Sequence, residues 1–384
     1  MDIIQFGNLE EESMIDKKIA IVLNNAWYAY NFRFNIARSL KDSGYEVVFV
    51  APYDEKYSEL IKKEFEFYEI YVDAKGINPV NDFKTLLELY RVYKTSKPDI
   101  VLNFTIKPNI YSSIVAGILN IKSISNITGL GTIFIKQTII TKVAKLLYKT
   151  ALGFNSKVFF QNNDDRALFV KNKLVCDDKI DLLPGSGVDL TKFVPVTKKD
   201  DGVFRFLLIA RLLKDKGIVE FIDAIRIIKK NYKNVEFQIL GAVGVVNKTA
   251  VTKEELQSWV DEGIVTYLGT TDNVQDVISQ VDFVVLPSYR EGTPRSLLEA
   301  CAMQKPIIAT NVVGCKEVVD DGVNGYLCEV KNAKDLAAKM EMMLNLSEDE
   351  RVAMGKAGRE KIVREFDEKI VIDKYFQSIE EILG

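Results

Sequence analysis

From Lys17 onward, short apolar runs alternate with segments of helical spacing. Residues 17–25, "KKIAIVLNN", are apolar without alternation and predict a buried strand. In "NFRFNIARSLKDSG" the apolar positions Phe32, Ile36 and Leu40 recur at helical spacing, and Gly44 stands where a C-terminal cap belongs. "YEVVFVAP" is the next strand, and "PDIVLNF", "YSSIVAGILNI" and "KSISNI" repeat the strand–helix–strand order. Nearly all-apolar strands separated by helices predict a parallel sheet covered on both faces. Residues 182–202, "LLPGSGVDLTKFVPVTKKDDG", interrupt the pattern with Gly, Pro and charge and read as a connection between domains. A second series follows: "FRFLLIAR", "GIVEFIDAIRIIKK", "VEFQILG", "IVTYLG", "VDFVVLPS" and "KPIIAT". "NAKDLAAKMEMMLN", "SEDERVAMGKAGREKIVREF" and "DEKIVIDKYFQSIEEIL" read as three closing helices. The expectation is α/β: two doubly wound domains facing a cleft, with ligands at the carboxyl ends of the strands.

Composition narrows the chemistry. The 384 residues carry a net charge of −3, which gives no global attraction to nucleic acid. Histidine is absent, which excludes Ser-His-Asp and Cys-His catalysis and His-ligated zinc. Cys176, Cys301, Cys315 and Cys328 form no C-x-x-C pair and are expected to be reduced, buried thiols of a cytoplasmic protein. No apolar run reaches ~18 residues, the length of a membrane span. Residues 1–16 are acidic, lack a signal-peptide pattern and are expected to be a flexible leader.

Three loops after strands in the second half carry candidate chemistry. "ARLLKDKG" offers Arg211 and Lys216, a planar fork and a point charge that suit phosphate oxygens, or two solvated surface cations. "LGTTDNV", residues 268–274, brings Gly269 and Thr270 to the edge of a nucleobase, or is an ordinary turn. In "EGTPRSLLEA", Thr293 is expected as N-cap and Pro294 as the first helical residue, leaving free amides for an anion. Glu291 lies before that helix and Glu299 within it. Alone, Glu291 is a solvated loop acid and Glu299 closes a capping box with Ser296. Together, beside Arg211 and Lys216, they fit one ligand: a diphosphate with a hydroxyl-rich group at each end, a nucleotide sugar.

Those stretches, with "LPSYREGTPRSLLEACAMQKPIIATNVVGCKEVVDDGVNGYL" and "LPGSGVDLTKF", resemble the signatures of the retaining glycosyltransferases of family 4. "NFRFNIARSL", "NFTIKPNIYSSIVAG" and "NITGLGTIF" are similar to the capsular-polysaccharide and lipid-linked-oligosaccharide enzymes within it. The resemblance implies the GT-B fold, with an acceptor-binding Rossmann-like domain over 17–185 and a nucleotide-sugar domain over 186–365. A last helix, 366–384, would cross back to the first domain. It implies that Arg211 and Lys216 hold the diphosphate, Glu291 the donor sugar and Glu299 the ribose. Gly269, Thr270, Gly292, Thr293, Ser296 and Leu297 would complete the donor site. Many members place a histidine in the first domain; here the resemblance puts Asn25, Thr105, Lys107 and Asn126 forward as the acceptor-side candidates. No metal and no cofactor are expected, and no D-x-D pair of the metal-dependent kind was found. The implied reaction moves a hexose or N-acetylhexosamine from a nucleoside-diphosphate sugar, by prior a UDP-sugar, to a polyprenyl-diphosphate-linked glycan. A nucleotide-sugar epimerase on the same fold is the alternative, and a non-catalytic nucleotide-binding module is a weaker one. A nicotinamide dehydrogenase is excluded because "NNAWYAYN", without G-x-G-x-x-G, follows the first strand.

One charge asymmetry stands apart. Between Asp99 and Asp164 there are seven lysines and no acid. Within that stretch, "TIITKVAKLLYKTAL" is expected to put Ile139, Ile140, Val143, Leu146 and Leu147 on one helix face and Lys142, Lys145 and Lys149 on another. Such a helix either packs on its own domain or docks on an anionic membrane, here the inner face of the plasma membrane.

Overall fold

The structure, a computed structural model, describes residues 17–73, 76, 78–128, 139–245 and 247–384. The expected leader, 1–16, and the side chains of Ile139 and Ile140 lie outside the described residues. The first half runs β1 (Lys18–Val22), α1 (Ala26–Asp42), β2 (Glu46–Ala51), α2 (Tyr57–Lys62), β3 (Glu66–Glu69), α3 (Pro79–Ser96) and β4 (Ile100–Phe104). It continues with α4 (Ile106–Ile118), β5 (Lys122–Ile127), α5 (Ile139–Phe154), β6 (Lys157–Phe160), α6 (Asn163–Lys171) and β7 (Ile180–Leu182). The second half runs β8 (Phe204–Ile209), α7 (Ile218–Asn231), β9 (Val235–Leu240), α8 (Lys253–Asp261), β10 (Thr266–Tyr267), α9 (Val274–Ser279) and β11 (Phe283–Leu286). Then come α10 (Arg295–Ala302), β12 (Ile307–Thr310), β13 (Gly325–Cys328), α11 (Ala333–Asn345), α12 (Glu348–Glu365) and α13 (Glu368–Leu383).

Each half folds into one parallel sheet, ordered β3-β2-β1-β4-β5-β6-β7 and β10-β9-β8-β11-β12-β13. The central strands are buried on both sides, which is why they read as continuous apolar runs. In the first sheet, α1, α2 and α13 pack on one face and α3, α4, α5 and α6 on the other. α13 belongs to the first sheet's core although it ends the chain. Val371, Ile372, Tyr375 and Ile379 pack with Ile19, Ile21 and Phe49, and Lys374 Nζ donates to Leu182 O at 2.6 Å. In both sheets the strand order reverses beside the first strand of the half, between β1 and β4 and between β8 and β11. Loops diverge at such a point and open a crevice. The candidate site loops are those that follow β8 and β11.

Among the cysteines, Cys301, Cys315 and Cys328 are buried and free, as expected, while Cys176 is exposed. Among the described residues, no helix is long and apolar enough to cross a membrane.

Candidate functional site at the β8–β11 crevice

The loop after β8 is clamped against the loop after β11. Lys214–Lys216 make one tight turn that ends at Gly217, with φ 71°. A Cβ at Gly217 would overlap the carbonyl oxygen of Pro287, so only glycine lets the two loops meet. Tyr289 N donates to Asp215 O at 2.9 Å, and the Tyr289 hydroxyl donates to Glu220 at 2.7 Å. This contact brings Lys216 to Glu291. The Lys216 ammonium is ion-paired to Oε1 of Glu291, and the buried Ser288 hydroxyl donates to the same oxygen at 2.6 Å. Thr310 holds the Ser288 carbonyl, and Glu291 N donates to Val313 O at 3.1 Å. Gly314, at φ 88°, lies against the Glu291–Gly292 backbone, where a Cβ would overlap Gly292 O. Glu291 is thus fixed from its main chain and through one carboxylate oxygen. The Arg211 carbonyl accepts from Leu213 N at 2.7 Å, but its side chain is exposed and has no hydrogen bond or ion pair among the described residues. Of the three cations in this loop, Lys214 pairs with Glu255 and Lys216 with Glu291, while Arg211 pairs with no carboxylate among the described residues.

The helix start differs from the sequence expectation by one residue. α10 begins at Arg295, and Pro294 is the cap position with φ −74° and ψ 111°. Its extended ψ takes Pro294 out of the helix, so Thr293 does not cap. The Thr293 side chain instead fills the space over Gly185 of the connecting segment. Leu297 N already donates to Pro294 O at 3.1 Å, so the amides of Arg295 and Ser296 are those left over at the helix start. The Ser296–Glu299 capping box does not form. Glu299 accepts from Arg295 Nε at 3.0 Å and is 9% exposed. Burial pushes its carboxyl above the ordinary glutamate range, opposed by the Arg295 guanidinium and by Lys192. Arg295 also reaches the first domain: Nη1 donates to Asn31 O at 3.0 Å, and its guanidinium lies 4.4 Å from the Phe32 ring centre.

Gly269 has φ 73° and its carbonyl accepts from Gly241 N at 2.8 Å, while Thr270 is exposed beside it. Asp272 on this loop is ion-paired to Lys56 and accepts from Tyr57 Oη at 2.7 Å. Arg290–Asp165 and Lys316–Asp164 pair the same two domains further along the cleft. A Cβ at Gly292 would overlap Thr128 O, so the Glu291 loop meets the carboxyl end of β5 directly.

The acceptor-side candidates are mostly engaged in structure. Asn25 caps α1, its side chain accepting from Tyr28 N at 2.7 Å. Lys107 is ion-paired to Asp82, both largely buried. Asn126 is buried and donates to Tyr375 Oη at 2.8 Å, tying β5 to α13. Thr105, at φ 71°, follows β4 with its hydroxyl buried and without a hydrogen-bond partner among the described residues.

α5 departs from the expected division into an apolar face and a lysine face. Tyr148, Ala151 and Leu152 form its buried side, which turns Val143 and Leu146 outward beside Lys142 and Lys149. Lys145 is half-buried and donates to Asn172 Oδ1 at 2.8 Å. Sequence reasoning passed over Ser288 and Arg295. Ser288 precedes Glu291 by three residues, and Arg295 precedes Glu299 by four, one helical turn.

Two Rossmann-like domains that face each other across a cleft define the GT-B architecture. Comparison with known proteins agrees. Residues 191–361 match the model of the family "Glycosyl transferases group 1", and residues 18–162 match that of "Glycosyl transferase 4-like". The chain belongs to the family 4 glycosyltransferases of GT-B fold. It is 28% identical over 372 residues to N,N'-diacetylbacillosaminyl-diphospho-undecaprenol alpha-1,3-N-acetylgalactosaminyltransferase of Campylobacter jejuni, covering 92% of this chain and 96% of that one. It is 26% identical to UDP-Gal:alpha-D-GlcNAc-diphosphoundecaprenol alpha-1,3-galactosyltransferase of Escherichia coli, covering 78% of this chain and 80% of that one. The crystal structure of Anabaena Alr3699/HepE in complex with UDP and glucose superposes with a TM-score of 0.78 at 17% identity, covering 95% of this chain and 100% of that chain.

Proposed function

We propose that this glycosyltransferase moves a hexose or N-acetylhexosamine from a UDP-sugar to a polyprenyl-diphosphate-linked glycan, with retention at the anomeric carbon and without a metal. The observation that carries the reading is the Lys216–Glu291 pair at the β8–β11 crevice, with unpaired Arg211 beside it. The relatives whose names print diphospho-undecaprenol acceptors support the acceptor class. Assembly of a surface polysaccharide or glycan at the cytoplasmic face of the plasma membrane is the setting this implies.

In the reaction the bond between the anomeric carbon and the β-phosphate oxygen lengthens first. Negative charge gathers on that phosphate, where Arg211, Lys216 and the Arg295 and Ser296 amides meet it. Donors fixed in advance stabilise the transition state more than the ground state. Oε1 of Glu291 is occupied by Lys216 and Ser288, so Oε2 is the oxygen that accepts donor-sugar hydroxyls. Glu299 takes the ribose hydroxyls. Oε2 of Glu291 is engaged by donor-sugar hydroxyls rather than by the anomeric carbon, and the chain has no histidine base. The acceptor hydroxyl therefore attacks from the leaving-group side. Its oxygen bonds to the anomeric carbon as the phosphate departs, and its proton passes to a β-phosphate oxygen.

The test is proton NMR of the product of a UDP-sugar and a lipid-diphosphate acceptor, with and without chelator. An α-anomeric product from an α-linked donor, formed at the same rate in chelator, is expected. A β-anomer, or loss of activity in chelator, contradicts the mechanism. An isomerised UDP-sugar formed without acceptor indicates an epimerase instead.

A further inference from the structure

α3 wears its apolar residues on the outside. Val80, Phe83, Leu87 and Tyr90 are 73%, 61%, 42% and 41% exposed and recur at spacings of three, four and three residues, one stripe along the helix. A surface helix normally turns such a stripe to the core. Here the buried side is Thr85, Leu89, Tyr93 and Ser96. The other charged residues exposed on α3 are all basic: Lys84, Arg91 and Lys94. Its two acids are half-buried: Asp82 pairs with Lys107, and Glu88 accepts from the Tyr71 amide and lies 3.8 Å from Lys84, which leaves Arg91 and Lys94 without an acid on their own helix.

α3 and α5 flank α4, which is mostly buried between them. α5 repeats the outward arrangement, with Val143 at 52% and Leu146 at 66% exposure beside exposed Lys142 and Lys149. Across α3, α4 and α5 there are seven basic residues (Lys84, Arg91, Lys94, Lys107, Lys142, Lys145, Lys149) and two acids (Asp82, Glu88). The difference is +5, in a chain of net charge −3. A second copy seated on this face would set that excess against itself. An anionic lipid leaflet complements both features: apolar side chains enter between headgroups, and lysines and arginines meet lipid phosphates.

We propose that α3 is the apolar anchor, and α5 the basic shoulder, of a face that docks this chain on an anionic bilayer. Helices that link parallel strands run against them, so the first turns of α3 and α5 lie at the carboxyl end of the first sheet, where the cleft opens. Val80, Phe83, Val143 and Leu146 sit in those first halves. Docking through them sets the mouth of the cleft at the bilayer surface, where a polyprenyl-linked acceptor presents its diphosphate. This last step rests on the acceptor class proposed above; the docking itself does not.

The test is co-sedimentation of the full chain with vesicles of phosphatidylglycerol and phosphatidylcholine, and of phosphatidylcholine alone. Phe83→Ser with Leu87→Ser should weaken binding to the anionic vesicles by about tenfold at low and at high salt. Lys142→Glu with Lys149→Glu should weaken it by about tenfold at low salt and flatten the salt dependence. Both variants should keep wild-type turnover of a short-chain, water-soluble acceptor and lose it with acceptor embedded in vesicles. Wild-type vesicle binding by the Phe83→Ser, Leu87→Ser variant would overturn the proposal. So would a wild-type dimer, in sedimentation velocity, that the same variant converts to monomer. Vesicle binding that follows the prediction, with no turnover of any acceptor, would leave docking standing and sink the catalytic reading.

Discussion

The hydroxyl of Ser288 donates to Oε1 of Glu291 at 2.6 Å, the same oxygen that Lys216 holds. Two donors on one oxygen orient the carboxylate, and in the proposed reaction Oε2 meets the sugar. Ser288 is then a positioning residue that acts through Glu291. A hydrogen bond to a charged group contributes about 1.5–3 kcal/mol. Ser288→Ala should therefore lower kcat by roughly 10- to 100-fold, with little change in affinity for UDP itself. Glu291→Gln should cost about 10²–10³. The two losses should not add: the double variant should match Glu291→Gln. Additive losses would separate Ser288 from Glu291.

Arg211 and Lys216 should differ when each is replaced by alanine. Both should lose roughly 10²–10³ in kcat/KM, the scale of removing one preorganised donor. The Arg211 side chain has no partner to abandon among the described residues, so its loss should leave Tm unchanged. Lys216→Ala strands a partly buried Glu291 and should also cost about 1–3 kcal/mol of stability. Equal melting temperatures for the two variants, by calorimetry, would contradict the pairing.

Glu299 makes the pH dependence specific. Burial raises its carboxyl above the ordinary range, so the folded chain holds that proton more tightly than the unfolded chain. Stability from this group is full below the ordinary glutamate value and declines as pH rises through the raised one. The Tm of wild type minus that of Glu299→Gln should therefore fall over that interval and then level. UDP affinity should rise over the same interval, because in the proposed reaction it is the ionised carboxylate that accepts from the ribose hydroxyls. Arg295→Ala removes the opposing cation and should move the UDP profile to higher pH. A flat profile in calorimetric titration would restrict Glu299 to a structural role.

The cleft is pinned at the 268–274 loop by Asp272, which takes Lys56 and Tyr57 from the first domain. Lys56 and Asp272 are well exposed, so their ion pair adds little stability. Its effect should fall on closure. Asp272→Ala should raise the donor KM by about two- to fivefold, with Tm unchanged. An unchanged KM would remove this clasp from the closing motion.

The two sheets were legible because central parallel strands are apolar on both sides, and "FRFLLI" and "VDFVVL" announce that directly. The site loops were legible because glycine, proline and charge follow those strands at short range. α3 was not. Its stripe faces solvent and its buried side is half polar, so apolar spacing gives no core face to find. The start of α10 was misplaced by one residue because Pro suits both the cap and the first turn, and only the extended ψ of Pro294 decides between them. Nor does local sequence reveal that Arg295 takes Glu299 while touching Asn31 and Phe32, more than 250 positions away. The engagement of Asn126 by Tyr375 is equally remote, 249 positions along the chain.

The central claim is transfer of a sugar from a UDP-sugar to a polyprenyl-diphosphate-linked glycan at the Lys216–Glu291 site. The direct measurement is mass spectrometry of a polyprenyl-diphosphate-linked saccharide incubated with a panel of UDP-sugars, with UDP release followed in parallel. The account predicts that one UDP-hexose or UDP-N-acetylhexosamine adds a single sugar mass to the acceptor. UDP should be released in equal amount, and Arg211→Ala and Glu291→Gln should lose both signals together. UDP release that does not depend on acceptor, or transfer undiminished in both variants, would contradict it.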